Sequence, residues 1–188
     1  GAAVVFAEQK EFTLDMGTET SVVYNLATAI EVSNASIDDV VYQTSSPNAT
    51  VNAGNVTFTK PGTYYVTAAI KDNNITVSSV ILTFNVRKTV GAEDKTISLK
   101  AGAAGKVEFT EIEAAEDVNS QIDYGNATSA DVTWTSSDEN VAVVENGVIV
   151  SKGEGAAVVS ATLSNGNRVA FAVTVKPVSL TAEETEFY

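Results

Sequence analysis

The stretch VTWTSSDENVAVVENGVIVSKGEG, residues 132–155, decides how the chain is read. Val132 and Trp134 alternate with threonines, so an extended segment here has one apolar side and one polar side. That two-residue period marks a half-buried strand. Ser136, Ser137 and Asp138 interrupt it, and Val141 and Val143 begin a second alternation. Asn146-Gly147 then supplies two residues that tolerate positive φ, the requirement of a two-residue hairpin turn. Val148 and Val150 resume beyond the turn, and Gly155 enters the next apolar run. Short strands joined by tight turns predict an all-β fold.

The pattern continues outward. Ala157, Val159, Ala161 and Leu163 alternate, Asn165-Gly166 makes a turn, and Val169, Phe171, Val173 and Val175 return. The first half of the chain echoes the second. Val40, Tyr42, Asn48, Val51, Val56 and Phe58 stand 92 positions before Val132, Trp134, Asn140, Val143, Val148 and Val150. PGTYYVTAAI from Pro61 answers EGAAVVSATL from Glu154, and Phe84 and Val86 answer Val173 and Val175. At the start of each copy, Phe12, Leu14, Gly17, Val22 and Tyr24 align with Ile97, Leu99, Gly102, Val107 and Phe109, 85 positions later. Two copies of one domain follow, each with about seven strands. The reading is two tandem antiparallel sandwiches, at 8–88 and 92–177, because a parallel sheet needs crossover helices for which there is no room. Glu111 to Val118 is the best helical candidate, expected as one turn or a loop.

Three segments stand apart. VRKTVGAEDKT, residues 86–96, reads as a short, semi-stiff link between domains placed end to end. GAAVVFAEQKEF at the start fits either the end of a secretory signal, with a mature chain from near Glu8, or an ordinary apolar first strand. In the tail, 178–188, Val178-Ser179-Leu180 resembles the opening strands and fits either the start of a further repeat or a strand extension.

Composition narrows the function classes. The 188 residues hold 24 acidic and 11 basic side chains, a net charge of −13, which disfavours nucleic acid and anionic lipid as partners. Residues 1–90 carry −3 and residues 91–188 carry −10, with Glu108, Glu111, Glu113, Glu116 and Asp117 supplying much of the excess. Absent cysteine removes disulfides, thiolate metal sites and thiol nucleophiles, and absent histidine removes the commonest general base and transition-metal ligand. No apolar run approaches the length of a membrane-spanning helix, so no membrane insertion within this chain is expected.

Residues 132–175 resemble the bacterial immunoglobulin-like domain of group 2. The resemblance rests on Trp134, Ser136, Ser137, Asp138, Val141, Ala142, Val143, Gly147, Val148, Gly155, Ala157, Val159, Ala161, Val173 and Val175, in that order. Ile97 to Gly102 extends it, whereas Glu111 to Ala130 does not match and reads as an enlarged loop. The first copy departs more, with Tyr42, Ser46 and Pro47 at the places of Trp134, Asp138 and Glu139, and resembles the broader immunoglobulin-like class. What the resemblance implies is a bacterial surface or secreted protein whose modules serve as spacers or adhesion domains, as in invasin- and intimin-type adhesins. It carries no catalytic positions.

Candidate sites are few. Trp134 and Tyr42 share the apolar face of Val132 and Val40, which places them in the core ahead of a sugar-stacking platform. Asp38, Asp39, Asp123, Asp131, Asp138 and Glu139 fall in loops without calcium spacing and read as turn-capping or solvated groups. The carboxylates around Glu111 do not define a hydrolytic pair. Asn34, Asn48, Asn55, Asn74 and Asn126 fit the glycosylation pattern by chance in a chain rich in Asn, Ser and Thr. No catalytic, metal or cofactor site is expected. The expected function is non-enzymatic, as tandem spacer or adhesion modules at the bacterial surface or secreted. The alternatives are a module binding a polysaccharide or host protein through its loops or the Glu108–Asp117 region, and a calcium-stiffened rod.

Overall fold

The computed structural model describes residues 1–178. The chain is all-β and forms two tandem immunoglobulin-like sandwiches, each with its own buried core. The first contains β1 (Val4–Phe6), β2 (Glu11–Asp15), β3 (Val22–Asn25), β4 (Glu31–Ser33), β5 (Val41–Thr44), β6 (Ala49–Asn52), β7 (Asn55–Phe58), β8 (Gly62–Asp72) and β9 (Ile75–Arg87). The second contains β10 (Ser98–Leu99), β11 (Lys106–Phe109), β12 (Ala115–Asp117), β13 (Ile122–Asp123), β14 (Thr133–Ser136), β15 (Ala142–Glu145), β16 (Val148–Ser151), β17 (Gly155–Thr162) and β18 (Arg168–Val175).

The two topologies are the same. A four-stranded sheet, β2-β9-β8-β5 or β11-β18-β17-β14, opposes a three-stranded sheet, β3-β7-β6 or β12-β16-β15, and a two-stranded pair, β1-β4 or β10-β13. The sandwiches are antiparallel except for one pair each, β2 with β9 and β11 with β18, which run parallel. The opening segment produces that exception. It pairs first as β1 with β4, then switches to the other sheet, where β2 lies beside the last strand. Nine strands per copy, rather than seven, result from this switch and from very short pairings such as Ser98–Leu99 with Ile122–Asp123.

This topology corrects the repeat alignment at its beginning. β2 and β11 play the same part, with Phe12 opposite Phe84 and Val107 opposite Val173. Phe12 therefore corresponds to Val107, and the strand around Ile97 corresponds to Val4–Phe6. β3 corresponds to β12, not to β11. Alternating apolar residues cannot separate two successive strands with the same period, so the sequence alignment slipped by one strand. The segment Glu111–Ala130 is likewise no enlarged loop. It holds β12, a 3-10 turn at Asn119–Gln121, β13 and a 3-10 turn at Ser129–Asp131, matching β3, Leu26–Ala29, β4 and Ile37–Asp39. Glu111–Val118, expected as one turn or a loop, begins as a turn with Glu113 at φ 61° and then runs into β12, a strand that was not expected there.

Val5 pairs with Val32 and is buried, and Ala7 joins the same core, so the residues before Glu8 form part of the first sandwich. Val178 ends the described residues, and the remainder of the tail reading lies outside them.

The cores differ in chemistry. In the first, Phe84 is surrounded by Phe12, Tyr24 and Phe58 with ring centroids 5.1–5.2 Å apart, and Tyr64 lies against Phe58 at 5.1 Å. The Tyr64 hydroxyl donates to the Lys60 carbonyl at 2.6 Å, and burial pushes its pKa well up. In the second, the large rings are Trp134 and Phe171, stacked at 6.4 Å, and Val107, Ala157 and Val173 fill the places of Phe12, Tyr64 and Phe84. Asn146 and Gly147 both have positive φ (50° and 80°), as the hairpin reading requires.

The equivalent turn of the first domain is Ala53-Gly54, with φ 50° and 78°. An alanine in the left-handed region crowds its Cβ against the backbone, whereas asparagine accepts that conformation. Ala53 is exposed, so nothing else depends on it. Ala53→Asn is expected to stabilise the first domain by about 0.5–1 kcal/mol, read as a higher denaturant midpoint with an unchanged m-value.

Candidate functional site

Strand alternation puts Tyr64, Val66 and Ala68 of β8 into the first core and turns Thr63, Tyr65 and Thr67 outward. In the second domain the same rule buries Ala157, Val159 and Ala161 of β17 and turns Ser160 and Thr162 outward, beside Thr133 and Thr135 of β14. These outward rows are not solvated. Thr63 and Ser160 are 0% exposed and Thr162 is 3% exposed, because the outer faces of the two four-stranded sheets pack on each other. The domains therefore overlap at their faces, where the sequence predicted two bodies end to end. Small side chains permit this close approach. A Cβ on Gly62 would lie 3.1 Å from Thr133 Cγ2.

The contact is polar and bonded. The Thr63 and Thr162 hydroxyls are 3.0 Å apart, and the Thr135 hydroxyl donates to the Thr63 carbonyl. At one side Ser45 Oγ donates to the Ser136 carbonyl at 2.7 Å. At the other, Arg168 Nη1 donates to Asn85 Oδ1 at 2.9 Å, and its guanidinium lies 3.7 Å from Glu11. The Ser160 hydroxyl is buried with no partner among the described residues, a cost accepted where the two faces close.

The link is held as well. Lys88 N donates to the Ser164 carbonyl at 2.9 Å, and Asn165 Nδ2 donates to the carbonyls of Lys95 (2.6 Å) and Glu93 (3.3 Å). Asp15 accepts from the Thr89 hydroxyl at 2.6 Å, and Lys95 pairs with Asp131 at 3.1 Å. The Thr89 hydroxyl and the Gly17 amide hold the Asp15 carboxyl below its ordinary value. The Thr128 amide and Lys95 do the same for Asp131, and Glu93 and Asp131 raise Lys95.

Beyond the Ser45–Ser136 bond the faces separate into a cleft of about 400 Å3. Its first-domain side carries Gln43, Tyr65, Thr67 and Ile81 from three adjacent strands, and its second-domain side carries the Ser137–Asn140 turn and Ala156. That turn is rigid: Asp138 Oδ1 accepts from Asn140 N at 2.9 Å, and the Asp138 carbonyl accepts from the amides of Val141 and Ala142. Partial burial raises the pKa of Glu139. The cleft lies between the two domains, a place where concave ligand sites form preferentially.

The other sequence candidates are dispersed. Trp134 is half-buried against Phe171 with its indole nitrogen enclosed, and Tyr42, also half-buried, packs on the first core. Asp39 caps the Ile37–Asp39 turn through Ser36 N, Asp123 accepts from Gly125 N, and Asp131 caps Ser129–Asp131 through Thr128 N. Asp38 lies in the first of these 3-10 turns. Glu113 pairs with Lys152 at 2.8 Å, Asp117 accepts from Asn119, and Glu108 and Glu116 are exposed on separate strands, so this acidic run forms no shared pocket. Among the described residues no three Asp or Glu converge to hold a metal. Asn34 and Asn74 occupy left-handed turn positions, and Asn126 Nδ2 donates to the Asp94 carbonyl. Only Asp138 and Glu139 come to the cleft. Gln43, Tyr65 and Thr67 were missed because they sit on the outward sides of their strands, which the alternation marks only as not facing the core. The available signal was an absence of charge on the outward rows of β8, β14 and β17 up to Thr67, Thr135 and Thr162.

No protein-family model and no curated protein matches the chain. Solved structures share a sandwich arrangement with it at low similarity. Drosophila N-cadherin EC1-4 is 15% identical over 95% of this chain and 50% of that one, with a TM-score of 0.33. Surface layer protein SbsC, domains 1–6, is 16% identical over 96% and 28%, with a TM-score of 0.33. A C-terminal fragment of intimin, in complex with the translocated intimin receptor's intimin-binding domain, is 18% identical over 92% and 63%, with a TM-score of 0.29. The chain spans about half the length of the cadherin fragment, and similarity at these scores transfers neither ligand nor partner.

Two outcomes test the junction. Thr162→Val and Thr63→Val should each destabilise the two-domain protein by about 1–2 kcal/mol, because each removes the buried hydrogen bond between the Thr63 and Thr162 hydroxyls. The double variant should lose clearly less than the sum, as read in a double-mutant cycle by denaturant unfolding. Asp15 and Asp131 have depressed folded pKa values, so their contribution is complete above the ordinary carboxylate value of 3.8 and is lost as pH falls through the depressed values. Amide exchange at Thr89 and Thr128 should therefore lose protection below about pH 4 and keep it at neutral pH.

Proposed function

We propose that the chain is a non-enzymatic piece of a bacterial cell-surface or secreted protein, in which two immunoglobulin-like modules act as a spacer and adhesion unit. The finer assignment of the second module to the bacterial group 2 immunoglobulin-like family belongs to this reading and rests on the Trp134-to-Val175 residues. The observation that carries it is the junction. The bonds from Thr63 to Thr162 and Thr135, together with Lys88 to Ser164 and Asn165 to Lys95, suit a unit that transmits position and force. A catalytic protein needs a reactive constellation in its cleft, and a spacer needs a joint that does not swing. The acidic surface, −13 in net charge, keeps neighbouring modules apart.

A second reading, an accessory module that binds a polysaccharide or a host protein, is favoured by the cleft that carries Tyr65. It is compatible with the first, since a rigid joint also fixes the two sides of a binding site.

The spacer reading is tested by residual dipolar couplings on the two-domain protein. Both domains should report one common alignment tensor, and small-angle scattering should fit a single arrangement. Two independent tensors would remove the reading, because hinged domains cannot hold a fixed distance.

A further inference from the structure

We infer that the interdomain cleft is a binding site for a neutral oligosaccharide. The inference deepens the adhesion half of the reading above and rests on it, since it names what the unit grips.

The lining chooses the ligand class. Tyr65 offers an aromatic ring and Ile81, 53% exposed, an apolar neighbour, the combination that packs on the C–H face of a sugar ring. Around them Gln43 and Asn140 each present a carbonyl acceptor and an amide donor. Thr67 and Ser137 add hydroxyls, and Asp138 and Glu139 add carboxylates that accept from hydroxyl groups. Such mixed donors and acceptors match a ligand whose every polar group is both.

Other classes fit less well. The cleft carries no Lys or Arg and sits in a chain of net charge −13, which disfavours phosphates and acidic polymers. Asp138 Oδ1 is committed to Asn140 N, and among the described residues no third carboxylate converges, which disfavours a metal ion. A lipid chain would leave the amides and carboxylates unpaired. A cationic peptide would engage Asp138 and Glu139, whereas the rest of the lining, with Gln43, Tyr65, Thr67, Ile81 and Asn140, is uncharged.

The site is built only when the domains are joined. Ser45, in the lining, bonds to the Ser136 carbonyl at 2.7 Å, and the two sides belong to different domains. Pre-organisation of this kind lowers the cost of binding.

The experiment is an NMR titration of the two-domain protein with cellohexaose, xylohexaose, mannohexaose, chitohexaose and, separately, tri-lysine, each to about 10 mM, which reaches weak sites. At least one hexasaccharide should shift the amides of Gln43, Tyr65, Thr67 and Asn140 in a saturable way. Tyr65→Ala and the exposed-site variant Gln43→Ala should each weaken that binding about tenfold, the usual scale for a contact residue, while the amide spectrum outside the cleft stays folded. Absence of any shift in these amides with all four saccharides overturns the inference. So does a response to tri-lysine alone, or a saccharide response that survives both substitutions. Failure here with a single alignment tensor intact leaves the spacer reading standing, whereas two tensors remove the joint on which both depend.

Discussion

Thr63 is a threonine with no exposed surface, held between two β-sheets that belong to different domains. Its hydroxyl meets that of Thr162 and its carbonyl accepts from Thr135. The relation of the two domains depends on this contact. A buried hydroxyl costs free energy unless it is bonded, and these hydroxyls bond to each other only in one relative placement of the sheets. The same placement brings Ser45 to Ser136, lets Lys88 reach Ser164, and leaves a cleft where the faces diverge. An apolar interface would have bound the domains with less orientation, because hydrophobic burial is non-directional.

The two sandwiches show how far one topology tolerates different cores. The first is filled by a cluster of five rings, Phe12, Tyr24, Phe58, Tyr64 and Phe84, the second by aliphatic residues with Trp134 on Phe171. The strand register corrects the 92-position alignment by one residue here: Ala49 pairs with Phe58 as Ala142 pairs with Ser151, so at the position of Phe58 stands not Val150 but Ser151, fully buried, whose hydroxyl bonds to the Glu111 carbonyl and receives the Ala114 amide. Where a ring packs in one copy, a hydroxyl ties down a loop in the other. Pairing pattern, and not side-chain volume, is what the repeats share.

Most of the architecture was legible from the strand period and the turns. Asn146-Gly147 marked its hairpin correctly because only a few dipeptides accept positive φ twice. Trp134 was placed in the core by its phase with Val132, and it packs half-buried against that core on Phe171. The loop carboxylates Asp39, Asp123 and Asp131 cap turns as their short side chains allow. The start of each repeat was misaligned because Phe12-Thr13-Leu14 and Ile97-Ser98-Leu99 look alike, although one pairs with the last strand and the other with β13. Which neighbour a strand chooses depends on residues far along the chain, and a local alternation does not contain them.

By itself the sequence determined the strands, their inward faces, the turns and the doubling of the domain, since each follows from chemistry within a few residues. It determined the charge as well, and with it the partners disfavoured on electrostatic grounds. Only the tertiary structure decided what the outward faces do. A threonine pointing out of a sheet reads the same whether it meets water or another sheet. Thr63, Thr135 and Thr162 became a joint, and Gln43 and Tyr65 one side of a cleft, because the second domain packs over them. That outcome rests on contacts between residues as far apart as Thr63 and Thr162, which no local pattern encodes.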